Sequence, residues 1–93
     1  MTMASQPSRG EVWYVDLNPT RGHEQSGTRP CLIISDDGFN HGLSGLVIVL
    51  PITSKRKNIP SNIEIKPPEG GLTMTSYIKC EDIRSISIER LAR

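Results

Sequence analysis

Residues 21–35 read RGHEQSGTRPCLIIS. A polar, glycine-punctuated stretch runs straight into a short apolar one. Arg21, His23, Glu24 and Arg29 are expected on a loop, with Gly22 and Gly27 as its flexible points. Pro30 closes the loop, and Cys31 to Ile34 reads as a buried strand. Loops held on a rigid scaffold often carry chemistry. This one holds an imidazole, a carboxylate and two guanidiniums, the equipment for work on a phosphodiester.

Upstream, Glu11 to Leu17 (EVWYVDL) favours a strand. Its alternation sets Val12, Tyr14 and Asp16 against Trp13, Val15 and Leu17. Asn18-Pro19 ends it with a turn signal. Met1 to Ser8 is a polar tail, expected to be disordered, so the domain is placed over residues 9–93.

Downstream, Asp36 to Gly42 is turn-rich, with room for one helical turn capped by Ser35 or Asp36. Leu46 to Ile52 (LVIVLPI) is the most hydrophobic run and is expected to be the central strand, with Pro51 at its end. Asn62 to Lys66 (NIEIK) alternates as a half-buried strand does. Pro67 to Gly71 is a tight reversal. Ser76 to Arg84 reads as one strand, with Tyr77, Lys79, Glu81 and Ile83 on one face. Ser87 looks like the N-cap of a helix that the chain begins and does not continue. Short strands at close spacing with little helix predict a mainly β domain, a small, strongly curved antiparallel sheet or open barrel.

The 93 residues suit one domain with a modest core, which gains area by dimerising. Hydrophobic residues are 35% and charged residues 23%, as in ordinary soluble proteins. With aromatics at 4%, a row of rings for stacking bases is not expected. A net charge of +1 argues against binding nucleic acid over the whole surface. Phosphate binding would need a local patch, and Lys55-Arg56-Lys57 is the densest, with Arg21 and Arg29 able to join it in space. Cys31 and Cys80 read as buried, reduced thiols of a cytosolic protein. His23 and His41 lack ligand spacing to them, so no zinc site is expected. Neither a signal peptide nor a run of membrane-spanning length is visible.

RNA cleavage by side chains alone fits this set of residues, since no carboxylate cluster suits two magnesium ions. No cofactor is called for. The ribose 2′-OH attacks phosphorus, one group takes its proton, another protonates the leaving 5′-oxygen, and a cation stabilises the growing charge. Arg29 is the best cation, since a guanidinium matches two phosphate oxygens. Thr53 can donate to the same phosphate or serve only as a turn hydroxyl. His23 or Glu24 can handle protons, and Glu24 can instead orient Arg29. Lys79 and Glu81 either pair with each other or face the phosphate. Lys55, Arg56 and Lys57 can form a positive lip that steers RNA.

The segments RGEVWYVDLNPTRGHEQSGTRPCLIIS, FN, VIVLPITS and IKCEDIRSIS resemble the MazF/PemK (Kid) toxins of toxin–antitoxin pairs. The resemblance covers nearly all of Arg9 to Leu91. It implies an SH3-like antiparallel β-barrel of the MazF/PemK/CcdB type with short helices, a homodimer, and sequence-specific, metal-independent endoribonuclease activity on single-stranded mRNA. The ends left would be a 2′,3′-cyclic phosphate and a 5′-hydroxyl, and a MazE-like antitoxin would block the RNA groove. By resemblance Arg29 and Thr53 carry cleavage, and Glu24-Gln25 and His23 match loop positions. Arg21, Gln25, Thr28, Ser54, Lys55, Arg56, Lys57, Lys79 and Glu81 are the expected RNA contacts. The PemK-like Arg-Cys-Asp is here Lys79-Cys80-Glu81, which favours Arg29 and Thr53. The family usually continues into a C-terminal helix, which is expected to be missing here. Two other readings share the fold: a CcdB-like gyrase-binding toxin and an RNA-binding module with impaired catalysis.

Overall fold

A computed structural model describes residues 6–19, 22 and 27–92. The first strand, β1 (Val12–Asp16), follows the alternation of its sequence. Trp13, Val15 and Leu17 are buried, while Tyr14 and Asp16 are exposed. The Trp13 indole N–H donates to Glu11 Oε1 at 2.9 Å, so the ring is buried without an unmet donor.

Strand β2 (Thr28–Ile33) begins earlier than the sequence suggests. Arg29 therefore lies on a strand, opposite Val15, and Pro30 stands opposite Tyr14. A proline is tolerated there because β2 meets the next sheet strand only over Cys31–Ile33, which leaves one of its edges unpaired at Pro30. A single helical turn, α1 (Asp37–Asn40), follows, capped by Asp36 as expected.

Strand β3 (Leu46–Thr53) is the centre of the sheet. One edge pairs with β2. The other pairs first with β6 (Arg84–Ser87), over Leu46 to Val49, and then with β5 (Ser76–Lys79), at Ile52 and Thr53. Pro51 falls where the partner changes, so its missing N–H breaks no ladder on that edge. Strand β4 (Asn62–Ile65) pairs with β5, and β7 (Leu91–Ala92) returns to β1. The described residues thus form a seven-stranded antiparallel sheet in the order β4-β5-β3-β2-β1-β7, with β6 also on β3. The ends of that path, β4 and β7, do not pair, so the curved sheet is open rather than a closed barrel. The core is Trp13, Val15, Leu17, Cys31, Ile33, Val47, Val49 and Ile86.

Three expectations need correction. Ser76 to Arg84 is not one strand, because a 3₁₀ turn at Cys80–Asp82 carries the chain from its place beside the end of β3 to its place beside the start. Ser87 does cap a turn, accepting from Glu89 N, but the turn is a single 3₁₀ one, Ile88–Arg90, and the chain then re-enters the sheet. Strand β4 is less buried than its alternation implies, with Ile63 54% exposed.

The tail also has structure at its described end. Pro7 is buried, and its carbonyl lies 2.6 Å from His41 Nε2. Residues 1–5 lie outside the described residues.

Candidate active site

Arg29 and Thr53 come together by strand register. Cys31 opposes Pro51 across β2 and β3, and continuing that antiparallel pairing brings Arg29 towards Thr53. Both line one open groove of ≈ 160 Å³ at the end of the sheet, with Tyr14, Ser54, Leu72 and Met74. Arg29 is exposed, and Thr53 is buried at 6% exposure. Gly27 takes φ 79°, a left-handed conformation suited to glycine, and lies beside the guanidinium: a Cβ there would stand 3.9 Å from Arg29 Nε.

The Thr53 hydroxyl accepts a hydrogen bond from Lys55 N at 3.1 Å. It is therefore the turn hydroxyl considered above. That bond uses a lone pair and not the O–H proton, so the same group can still donate. The backbone contact also fixes where that oxygen sits, and its O–H is left to turn towards an acceptor.

The loop expected to hold His23 and Glu24 has a well-tied neck. Leu17 N donates to Gly27 O at 3.0 Å, and Gly27 N donates to Asn18 Oδ1 at 3.2 Å. Arg90 Nη1 donates to Asp16 O at 3.0 Å and also to Asn18 O. The candidates Arg21, His23, Glu24 and Gln25 lie outside the described residues.

The other candidates divide. Ser54 is exposed and lines the groove, whereas Thr28 is exposed on β2 opposite Asp16 and does not. Lys55, Arg56 and Lys57 are exposed. Arg56 and Lys57 line a second groove, also ≈ 160 Å³, with Asn58, Asn62, Glu64 and Tyr77. Tyr77 pairs with Thr53, so the two grooves flank a single strand pair. The basic run thus lies close to Thr53, as a lip would.

Lys79 and Glu81 do not share a strand face. Lys79 ends β5 at 5% exposure, with Nζ 4.0 Å from Asp82 Oδ2. Glu81 is exposed in the 3₁₀ turn and accepts from Ser61 at 2.7 Å and Asn62 at 2.8 Å. Partial burial raises its carboxyl pKa, but those hydrogen bonds, one to its own backbone and the Lys79 charge hold it below the usual value. The two residues expected either to pair or to face a phosphate thus differ in kind: Lys79 is buried beside Asp82, and Glu81 is exposed and bound by Ser61 and Asn62. This weighs further against a PemK-type role for them.

Asp82 also holds Arg84 Nη2 at 2.7 Å. The cluster lies near Cys31, whose thiol is pushed up to about 12 by burial, partly offset by Arg84. Cys31 therefore stays a thiol near neutrality and is a poor nucleophile. Both cysteines are free, and Cys80 is only half-buried. Asp82→Ala leaves two largely buried cations without their shared carboxylate. A loss of about 3 kcal/mol is expected, seen as a fall in Tm of about 10 °C or more. A Tm equal to wild type would show that the cluster is not a structural support.

Sequence reasoning missed Tyr14 and residues 72–74 as groove lining. Tyr14 had a signal: it is an aromatic residue on the exposed phase of β1. Residues 72–74 had none, because only the tertiary fold lays them over the sheet.

Residues 8–93 match the model of the PemK-like, MazF-like toxin of type II toxin–antitoxin system. The chain is 38% identical over 90 residues to Endoribonuclease MazF9 of Mycobacterium tuberculosis, covering 91% of this chain and 76% of that protein. It is 36% identical over 86 residues to Endoribonuclease PemK of Escherichia coli, covering 91% of this chain and 64% of that protein, just under two thirds of its length. Among solved structures it resembles MazF from Deinococcus radiodurans, with TM-score 0.76 and 29% identity over 88% of this chain and 71% of the other. It also resembles a mycobacterial endoribonuclease in complex with its cognate antitoxin, with TM-score 0.73 and 26% identity over 94% and 74%.

Proposed function

The chain belongs to the PemK-like, MazF-like toxin family of type II toxin–antitoxin systems, and we propose that it is an mRNA-cleaving endoribonuclease that works at the Arg29–Thr53 groove. The observation that carries this reading is the placement of a guanidinium and a hydroxyl on the wall of one open groove, beside an exposed basic run. In the proposed reaction the 2′-oxygen forms a bond to phosphorus and the bond from phosphorus to the 5′-oxygen breaks. The 2′-OH proton passes to a base, and a second proton reaches the leaving oxygen. Arg29 spans two non-bridging oxygens as their charge grows, and Thr53 donates to one of them. His23 and Glu24 are the candidates for moving the protons.

The reaction needs no metal and acts on single-stranded RNA with a preferred sequence. Purified protein incubated with a defined RNA in EDTA should leave 2′,3′-cyclic phosphate and 5′-hydroxyl ends. Cleavage that stops in EDTA and returns with magnesium would contradict the route. The protein acts in the cytoplasm, where its mRNA substrate lies. Among the described residues no helix is long and apolar enough to cross a membrane.

The active form is a homodimer that a cognate MazE-like antitoxin covers. Exposed Leu43, Ile63 and Ile83 supply apolar surface for such contacts. Sedimentation as a monomer at high micromolar concentration would count against the dimer.

A further inference from the structure

Tyr14 stands out on β1. Its neighbours Trp13 and Val15 are buried, yet its own ring is 50% exposed. It faces the same groove as Arg29 and Thr53. The rest of the lining is mixed in a specific way. Pro30, Leu72 and Met74 supply apolar surface, and Ser54 and Thr73 supply hydroxyls. A lining that mixes polar and apolar groups beside an exposed ring can seat one base of an RNA strand.

The wall opposite the sheet is held in place. Gly70, at φ 66°, packs so closely on β1 that a Cβ there would fall 2.8 Å from Val12 Cγ2. Only glycine suits that approach and that conformation. It pins the turn that leads to Leu72. At the other end of the wall, buried Ser76 donates from Oγ to Met74 O at 3.0 Å. The groove is therefore preformed.

We propose that this groove is a nucleobase subsite, in which the Tyr14 ring stacks on a base next to the scissile phosphate while Arg29 and Thr53 hold that phosphate. The inference rests on the cleavage reading above and adds a positioning residue to it. Every base offers a π-face, so one exposed ring beside a cation can hold a nucleotide without a row of aromatics. Tyrosine suits the task because its ring is large and it loses little freedom on binding.

The test uses an RNA oligonucleotide that carries the cut site found by mapping 5′-hydroxyl ends after wild-type digestion of total RNA. Tyr14→Leu keeps apolar bulk and removes the ring, and Tyr14→Phe keeps the ring. Tyr14→Leu should lower kcat/KM about tenfold with Tm and cut site unchanged, and Tyr14→Phe should restore the rate. A series of abasic substitutions at the flanking positions gives the sharper readout. At one position the abasic RNA should be cut about tenfold more slowly by wild type, with no further loss in Tyr14→Leu.

Equal abasic penalties in wild type and Tyr14→Leu at every position would overturn the proposal. So would Tyr14→Leu that cuts as wild type does but escapes inhibition by the antitoxin, which would make the groove a protein-binding site. Either result leaves the cleavage reading standing. Wild type that cuts no RNA would remove both.

Discussion

Arg29→Ala is expected to lower kcat about a hundredfold, equivalent to about 3 kcal/mol of lost transition-state stabilisation. RNA affinity should change far less. The difference follows from when the charge is needed. Before attack the phosphate carries a single negative charge, which neighbouring cations can also meet. As the 2′-oxygen adds, negative charge builds on the non-bridging oxygens, and a guanidinium placed for that state has its largest effect there. Arg29→Lys should recover only part of the rate, because an ammonium is a point charge and cannot span two oxygens. Thr53→Ala should cost less than Arg29→Ala, since a neutral hydroxyl is the weaker donor. Part of its cost will be structural, because Lys55 N loses the acceptor it now has at 3.1 Å. Thr53→Ser keeps both bonds and should stay close to wild type. The account fails if correctly folded Arg29→Ala keeps the wild-type kcat.

The alternation of β1 and the hydrophobic run of β3 stated their own roles, because burial on one or both faces of a sheet leaves a direct periodic trace. The turn before Asn40 was legible from its capping aspartate. The proline that follows Arg29 points to a loop at that position. A chain read alone cannot show that one edge of β2 is unpaired at that point. Residues 76–84 read as one strand for a related reason. Their alternation persists while their place beside β3 changes, and the turn that allows the change, Cys80–Asp82, carries no glycine or proline.

The site was legible in part. The motif resemblance singled out Arg29 and Thr53, and the structure sets them in one groove. Strand periodicity puts Lys79 and Glu81 on one face, and the 3₁₀ turn removes that periodicity. From sequence alone Tyr14 reads only as a strand former. Its place beside Arg29 depends on register, and residues 72–74 reach it only through the turn pinned on Val12.

The central claim is that the RNA cuts itself through its own 2′-oxygen while Arg29 and Thr53 hold the phosphate. A substrate RNA with one 2′-deoxy nucleotide, immediately 5′ to the cut phosphate, tests this most directly. Only the nucleophile is removed: bases, phosphates and every other contact remain. Cleavage at that bond should disappear, and binding, measured by anisotropy, should be nearly unchanged, because a missing hydroxyl takes little from the ground-state complex. Protein-activated water as the nucleophile would leave the deoxy substrate cuttable. Cutting of that bond at the all-ribose rate would contradict the account.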